Sequence, residues 1–142
     1  MIGILVVTHG NIAAELVEAA RFITGDTDRI ESVGIRWDQD PEDARRQIEE
    51  ALERLAAGAG VLVLTDMFGG TASNLALPFL REGRVEIVTG ANLPMLLKSL
   101  AARRDEPLGA LARAARDRGQ KAIEVASDLL AESAPARDAS PE

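Results

Sequence analysis

The chain has 142 residues, 46% of them apolar and 27% charged, with a formal net charge of −7. That is one domain's worth of sequence, long enough to bury a core without staples, and the absence of cysteine excludes a disulfide framework, a thiolate metal site and cysteine catalysis. An acidic balance with no basic cluster, and 3% aromatics with no Tyr, exclude a general nucleic-acid or anionic-membrane binder and leave no platform for base stacking.

The first element is the apolar run Ile2 to Val7. No basic segment precedes it, and it is too short for a signal sequence. No window approaches the roughly 20 apolar residues that span a bilayer, so the cytoplasm is the expected compartment. The run reads as a buried first strand. Further strands are expected at Arg29 to Ile35, Val61 to Thr65 and Val85 to Thr89. The first and third are nearly continuous Val, Ile and Leu, the pattern of strands covered on both faces of a parallel sheet.

Helical periodicity fills the intervals. Ile12, Leu16, Ala19 and Ile23 form one stripe, and Gly25 suits its end. Asp40 is placed to cap a second helix, Pro41 to open it, and Asp43 stands where a capping-box acid would. Its buried stripe is Ala44, Ile48, Ala51, Leu52 and Leu55, with Arg45/Glu49, Arg46/Glu50 and Glu50/Arg54 four apart on the exposed side and Gly58 at the close. A third helix is expected after Gly69-Gly70 with Thr71 as its cap, kinked or ended at Pro78. A fourth runs from Leu93 to Arg103, and a fifth from Pro107 to Gly119. Gln120 to Ala126 alternates weakly and reads as a last edge strand. The domain is taken as residues 1–126 and the remainder, 127–142, as a tail, disordered from about 133.

Strands alternating with helices predict an α/β fold, a mostly parallel four-stranded sheet with helices on both faces. In such sheets ligands bind beyond the carboxyl ends of the strands, where strand order reverses. The segments that matter are then Thr8 to Asn11, Asp66 to Thr71 and Gly90 to Asn92. An order of 2-1-3-4 brings His9 and Asp66 together.

His9 is the single histidine. Alone it fits a catalytic group and a satisfied structural histidine equally well. Asp66 alone is best read as the cap of a turn. As a pair they acquire a role, because a carboxylate accepting from one ring N–H fixes the tautomer and leaves the other nitrogen as a nucleophile. Gly69-Gly70-Thr71 before a helix start offers backbone amides and a hydroxyl to an anion, although a glycine pair also suits a tight turn. A nucleophilic histidine, an orienting carboxylate and an anion cradle together suit phosphoryl transfer through phosphohistidine. One histidine without cysteine is too thin for a zinc set, so no metal is expected. No P-loop, dinucleotide fingerprint or nucleophile elbow is present in the sequence.

Three stretches resemble one family. Ile4 to Gly10 is similar to the phosphoacceptor segment of the mannose-type enzyme IIA component of the bacterial sugar phosphotransferase system. Leu64 to Asn74 looks like that family's Asp-x-x-Gly-Gly-Ser/Thr-x-x-Asn loop, and Thr89 to Leu96 its Gly-x-Asn-x-Pro-Met-Leu segment. The resemblance implies that His9 accepts a phosphoryl group from the phosphocarrier protein HPr and passes it to a IIB component for sugar uptake. Asp66 would be the orienting aspartate, and Gly10, Gly69, Gly70 and Thr71 would bind the phosphoryl group. It implies no metal or organic cofactor, and contact with the membrane only indirectly, through a permease complex. It also implies a homodimer that exchanges its last strand, here Gln120 to Val125.

Thr71-Ala72 stands where many members have Ser-Pro, which keeps the hydroxyl and loses a proline. The short tail implies a free-standing IIA. The alternatives are a regulatory phosphorelay protein of the same fold with a regulatory partner in place of a transporter, and the phosphotransfer subunit of a dihydroxyacetone kinase.

Overall fold

The computed structural model describes residues 1–26 and 28–133. Four parallel strands, β1 (Gly3–His9), β2 (Ile30–Ile35), β3 (Val61–Thr65) and β4 (Val85–Thr89), form one sheet in the order β2-β1-β3-β4. The expected order and direction are therefore found. Among the described residues the α-helices are α1 (Ile12–Thr24), α2 (Pro41–Leu55), α3 (Thr71–Ala76), α4 (Leu93–Ala102), α5 (Leu108–Lys121) and α6 (Ala126–Ser133).

The strand period of two divides the core. Ile4, Val6, Leu62 and Leu64 face a layer built by α1, α4 and α5. Leu5, Val7, Val61 and Val63 face α2 and α3. Continuing that alternation past the buried strand sends Thr8 to the α1 side and His9 to the α3 side. The packing of β1 thus decides where the histidine goes.

Helix ends follow local chemistry. Gly25 ends α1 at φ 73°, and its N–H donates to the Arg21 carbonyl. Asp40 caps α2 by accepting from the Glu42 amide at 3.2 Å. α3 stops at Ala76, and a 3-10 turn, Leu77–Phe79, carries the chain through Pro78.

Several expectations are corrected. α2 ends at Leu55 with Ala56 as its cap, and Gly58 lies in the following turn at φ 125°. The cap of α3 is Gly70, not Thr71, which is already the first helical residue. Gly119 does not end α5, which continues to Lys121. It serves close approach instead, since a Cβ there would lie 2.8 Å from Met95 Cε. Arg46 pairs with Asp43 and Arg54 with Glu31, where Glu50 had been expected to serve both. Arg45 does pair with Glu49, at 3.3 Å.

At the C-terminus, Gln120 and Lys121 are helical, Ile123 to Val125 have no strand neighbour among the described residues, and α6 occupies part of the expected tail. An edge strand needs a ladder partner, and the described residues of one chain do not supply it. The expected disorder from about residue 133 falls outside the described residues. Among the described residues no helix is long and apolar enough to cross a membrane.

Candidate active site

β1 and β3 run side by side with Val7 opposite Thr65. The residues that follow emerge at the same end of the sheet, at the point where strand order reverses. His9 and Asp66 meet there. His9 Nδ1 lies 2.8 Å from Asp66 Oδ2, and the same oxygen accepts from the His9 backbone N–H at 3.0 Å. Asp66 Oδ1 accepts from the Met67 N–H at 3.1 Å. An ionised carboxylate only accepts, so Nδ1 carries the ring hydrogen and Nε2 the free lone pair.

Partial burial works to raise the Asp66 pKa. The hydrogen bonds from the His9 backbone and ring, the attraction of that ring in its protonated form and the local amide outweigh it, and the carboxyl sits below its ordinary value. It is an anion at neutral pH. Among the described residues, the hydrogen-bond and ion-pair partners of the two side chains are each other and backbone amides; no Lys or Arg joins them. His9 is 42% exposed and Asp66 15%.

The glycine loop closes over the ring. Gly70 is extended, at φ −89° and ψ 176°, a conformation open to any residue. Its lack of a side chain is steric, because a Cβ would sit 2.8 Å from His9 Cε1 and 3.3 Å from Nε2. Gly69 is different: its φ of 87° is a left-handed value that favours glycine. Its N–H donates to Ser73 Oγ at 2.9 Å, and that hydroxyl donates to the Gly70 carbonyl at 3.1 Å. Gly10, at φ 54°, turns the chain from His9 into α1. Thr71 opens α3 beside Gly70. Every candidate residue therefore lies at one end of the sheet, with Gly70 the one packed directly on the ring.

Three supporting residues were given no role of their own in the sequence reading. Thr8 is buried; its hydroxyl accepts from the Ala13 N–H at 2.7 Å and donates to the His9 carbonyl at 3.2 Å, which fixes the turn after β1. Gly34 lies so close to that turn that a Cβ would be 2.2 Å from the Gly10 carbonyl oxygen. Ser73 is the third. A hydroxyl-bearing residue a few positions into or before a helix is a recognisable signal for such local bonds; a glycine inside a strand is a signal for close backbone approach. Asn92, beyond β4, caps α4 by accepting from the Met95 N–H and donates to the Gly119 carbonyl. It joins two helices of the frame rather than touching His9. No cluster of three or more His, Asp or Glu side chains poised for a metal occurs among the described residues.

The family model described as the PTS system fructose IIA component, EIIA-man, matches residues 3–116. The chain is 29% identical over 131 residues to the PTS system fructose-specific EIIA component of Bacillus subtilis, covering 92% of this chain and 90% of the relative. It is 31% identical over 140 residues to the PTS system mannose-specific EIIAB component of Escherichia coli K12, covering 95% of this chain and 43% of that longer protein. Among solved structures, phosphotransferase system component EIIA from Streptococcus agalactiae superposes with a TM-score of 0.81 at 23% identity, covering 90% of this chain and 99% of that one. That likeness concerns the fold.

Proposed function

Because this chain belongs to the mannose and fructose type of IIA components of the sugar phosphotransferase system, we propose that it carries a phosphoryl group on His9 during sugar uptake. The donor is phosphorylated HPr and the acceptor is a IIB component. The observation that carries this reading is the 2.8 Å contact of Nδ1 with an ionised Asp66, on a ring whose Nε2 edge faces Gly70 and solvent.

The step needs no external base. The Nε2 lone pair attacks phosphorus in line with the donor's bond; that bond breaks and its electron pair leaves with the donor. The ring keeps its Nδ1 hydrogen and becomes positively charged, and the Asp66 carboxylate 2.8 Å away stabilises that charge as it develops. The reverse attack by a nucleophile of the IIB component restores the neutral ring. Gly10, Gly69, Gly70 and Thr71 form the wall against which the phosphoryl oxygens lie, and Gly70 leaves room for them because it has no Cβ.

A homodimer is part of the same proposal. The apolar side chains Ile123, Val125, Leu129 and Leu130 are exposed on the single chain, and the edge strand β4 is only half-buried. Both features suit exchange of the C-terminal segment between two copies.

Incubation with phosphoenolpyruvate, enzyme I and HPr, followed by intact mass, tests the carrier role. Wild type should gain one phosphoryl group and His9→Ala none. The label should be lost in acid and kept in base, as a phosphoramidate is. No gain on the wild type with verified HPr overturns the reading.

A further inference from the structure

We propose that Ser73 is a positioning residue for the His9 site, its hydroxyl latching the glycine loop so that the Gly70 backbone is held against the Nε2 edge of the imidazole. The kinetic part of this inference rests on the carrier function proposed above; the geometric part stands on the structure alone.

The loop has little else to hold it. Met67, Phe68 and Gly69 are exposed, and two consecutive glycines have the most backbone freedom of any pair. Asp66 secures the start of the loop through the Met67 N–H. Ser73 secures its end. It is fully buried on α3, and one oxygen both accepts from the Gly69 N–H and donates to the Gly70 carbonyl. That pair of hydrogen bonds to successive residues fixes the orientation of the intervening peptide unit. The α3 backbone adds the Asn74 N–H on the same Gly70 carbonyl at 3.0 Å.

The consequence reaches the nucleophile. Gly70 approaches the ring so closely that a single added carbon would fall 2.8 Å from Cε1. A loop displaced by a few tenths of an ångström therefore changes the space beside Nε2, which is where an incoming phosphoryl group must fit. Because the Gly69 amide is committed to Ser73, the latch also decides which backbone donors remain to meet that group. Ser73 touches neither the ring nor a substrate; it acts through Gly70.

The test compares Ser73→Ala, Ser73→Thr and Ser73→Cys with Ser99→Ala. Ser99 is an equally buried helical serine, on α4, that donates to the Met95 carbonyl at 2.8 Å. Two readouts are taken: hydrogen exchange of the Gly69 amide by NMR, and the rate of phosphoryl uptake from phospho-HPr across HPr concentrations. In Ser73→Ala, Gly69 exchange should rise roughly tenfold and the limiting uptake rate fall roughly tenfold, the change expected for one net hydrogen bond, with the half-saturating HPr concentration unchanged. Ser73→Thr, which keeps the hydroxyl, should restore both to within about threefold. Ser99→Ala should shift thermal stability without moving either readout. Should Ser73→Ala fail to fold, Ser73→Cys keeps the volume with a weaker hydrogen-bonding group and carries the same two expectations.

Unchanged Gly69 exchange overturns the latch. Faster exchange with unchanged uptake overturns the positioning role, as does a Ser99→Ala variant that slows uptake equally. A wild type that takes up no phosphoryl group refutes the carrier reading and the kinetic half of this proposal with it, while the exchange readout still decides the latch.

Discussion

Replacing Asp66 by Asn removes a charge while keeping the shape of the side chain, and so separates electrostatic stabilisation of His9 from orientation. In the wild type, Oδ2 accepts from both the backbone and the ring N–H of His9, at 3.0 and 2.8 Å. An Asn oxygen in that place can still accept both, so the tautomer survives. Its amide nitrogen then faces the Met67 N–H, which must turn to solvent. What is lost is the attraction for the positive ring formed on phosphoryl attack. Unit charges about 4 Å apart interact by about 4 kcal/mol at an effective dielectric of 20. His9 is 42% exposed, so water screens much of this, and the lower half of the range for a hydrogen bond to a charged group applies, about 1.5–2 kcal/mol. That corresponds to a rate loss of roughly 10–30-fold. Asp66→Ala also removes the acceptor that orients the ring, and should cost on the order of 100-fold, the scale of losing a positioned polar partner at a reacting group. Quench-flow measurement of phosphoryl uptake from phospho-HPr reads both. An Asn variant within twofold of wild type would refute the electrostatic argument, and one as inactive as His9→Ala would show that the charge is indispensable in a way the screened geometry does not explain.

Gly70→Ala is compatible with the backbone conformation but places a carbon against the imidazole; uptake should fall at least about tenfold while the unfolding midpoint in urea moves by less than about 1 kcal/mol equivalent. Asp26→Asn should destabilise by about 1.5–3 kcal/mol in equilibrium denaturation, the scale of a hydrogen bond to a charged group, because fully buried Arg103 loses a carboxylate that accepts from it at 3.0 Å while keeping backbone carbonyls of Ile2, Asp28 and Arg29. Burial works to raise the Asp26 pKa, but the Asp28 amide and the charges of Arg103 and Arg104 bring it below the ordinary value of 3.8. Its contribution is therefore complete above the pKa of the unfolded chain and disappears as pH falls through the lowered folded pKa, so the wild-type advantage should begin to shrink near about pH 4 and vanish only in stronger acid, below the folded pKa. An advantage that persists there would assign the stabilisation elsewhere. Truncation after Ala122 should convert a dimer to a monomer in sedimentation; a truncated chain that stays dimeric excludes exchange of the C-terminal segment.

The parallel sheet was legible because its central strands are continuous aliphatic runs and its helices carry regular stripes. Both are properties of local sequence that burial on two faces requires. The meeting of His9 and Asp66 was legible by topology, since the residues following neighbouring parallel strands share one end of the sheet. Gly119 was misread as a helix end because a glycine's sequence neighbourhood does not reveal that Met95 of another helix presses on it. Gly34 and Ser73 were missed for the same reason. One answers to the Gly10 carbonyl across a strand pair and the other to a loop conformation, and both are set by tertiary geometry. The expectation at residues 120–126 mixed two questions, local conformation and assembly. α5 continues through Lys121, and residues 123–125 after it have no strand partner among the described residues.

Under the carrier function proposed above, the composition of the site bears on why such a protein would be built this way. A protein that stores a phosphoryl group permanently, or hydrolyses it, gains from a guanidinium or a metal that binds the group tightly. A carrier has to release the group to its next partner, and ground-state binding that is not also made in the transition state slows that release. The partners of His9 and Asp66 are one carboxylate and neutral backbone amides, with no Lys or Arg among them in the described residues. The carboxylate stabilises the ring rather than the phosphoryl oxygens. Its effect is greatest when the ring is positive, which is the state shared by uptake from the donor and delivery to the acceptor. The half-exposed His9 fits the same proposal, in which both partners would have to reach one nitrogen in line with the bond being made or broken. Rigidity then has to come from beneath the site, and it does, from two buried hydroxyls: Thr8 under the His9 turn and Ser73 under the glycine loop. The exposed surface stays free for exchange of partners while the geometry around Nε2 is held from the protein side.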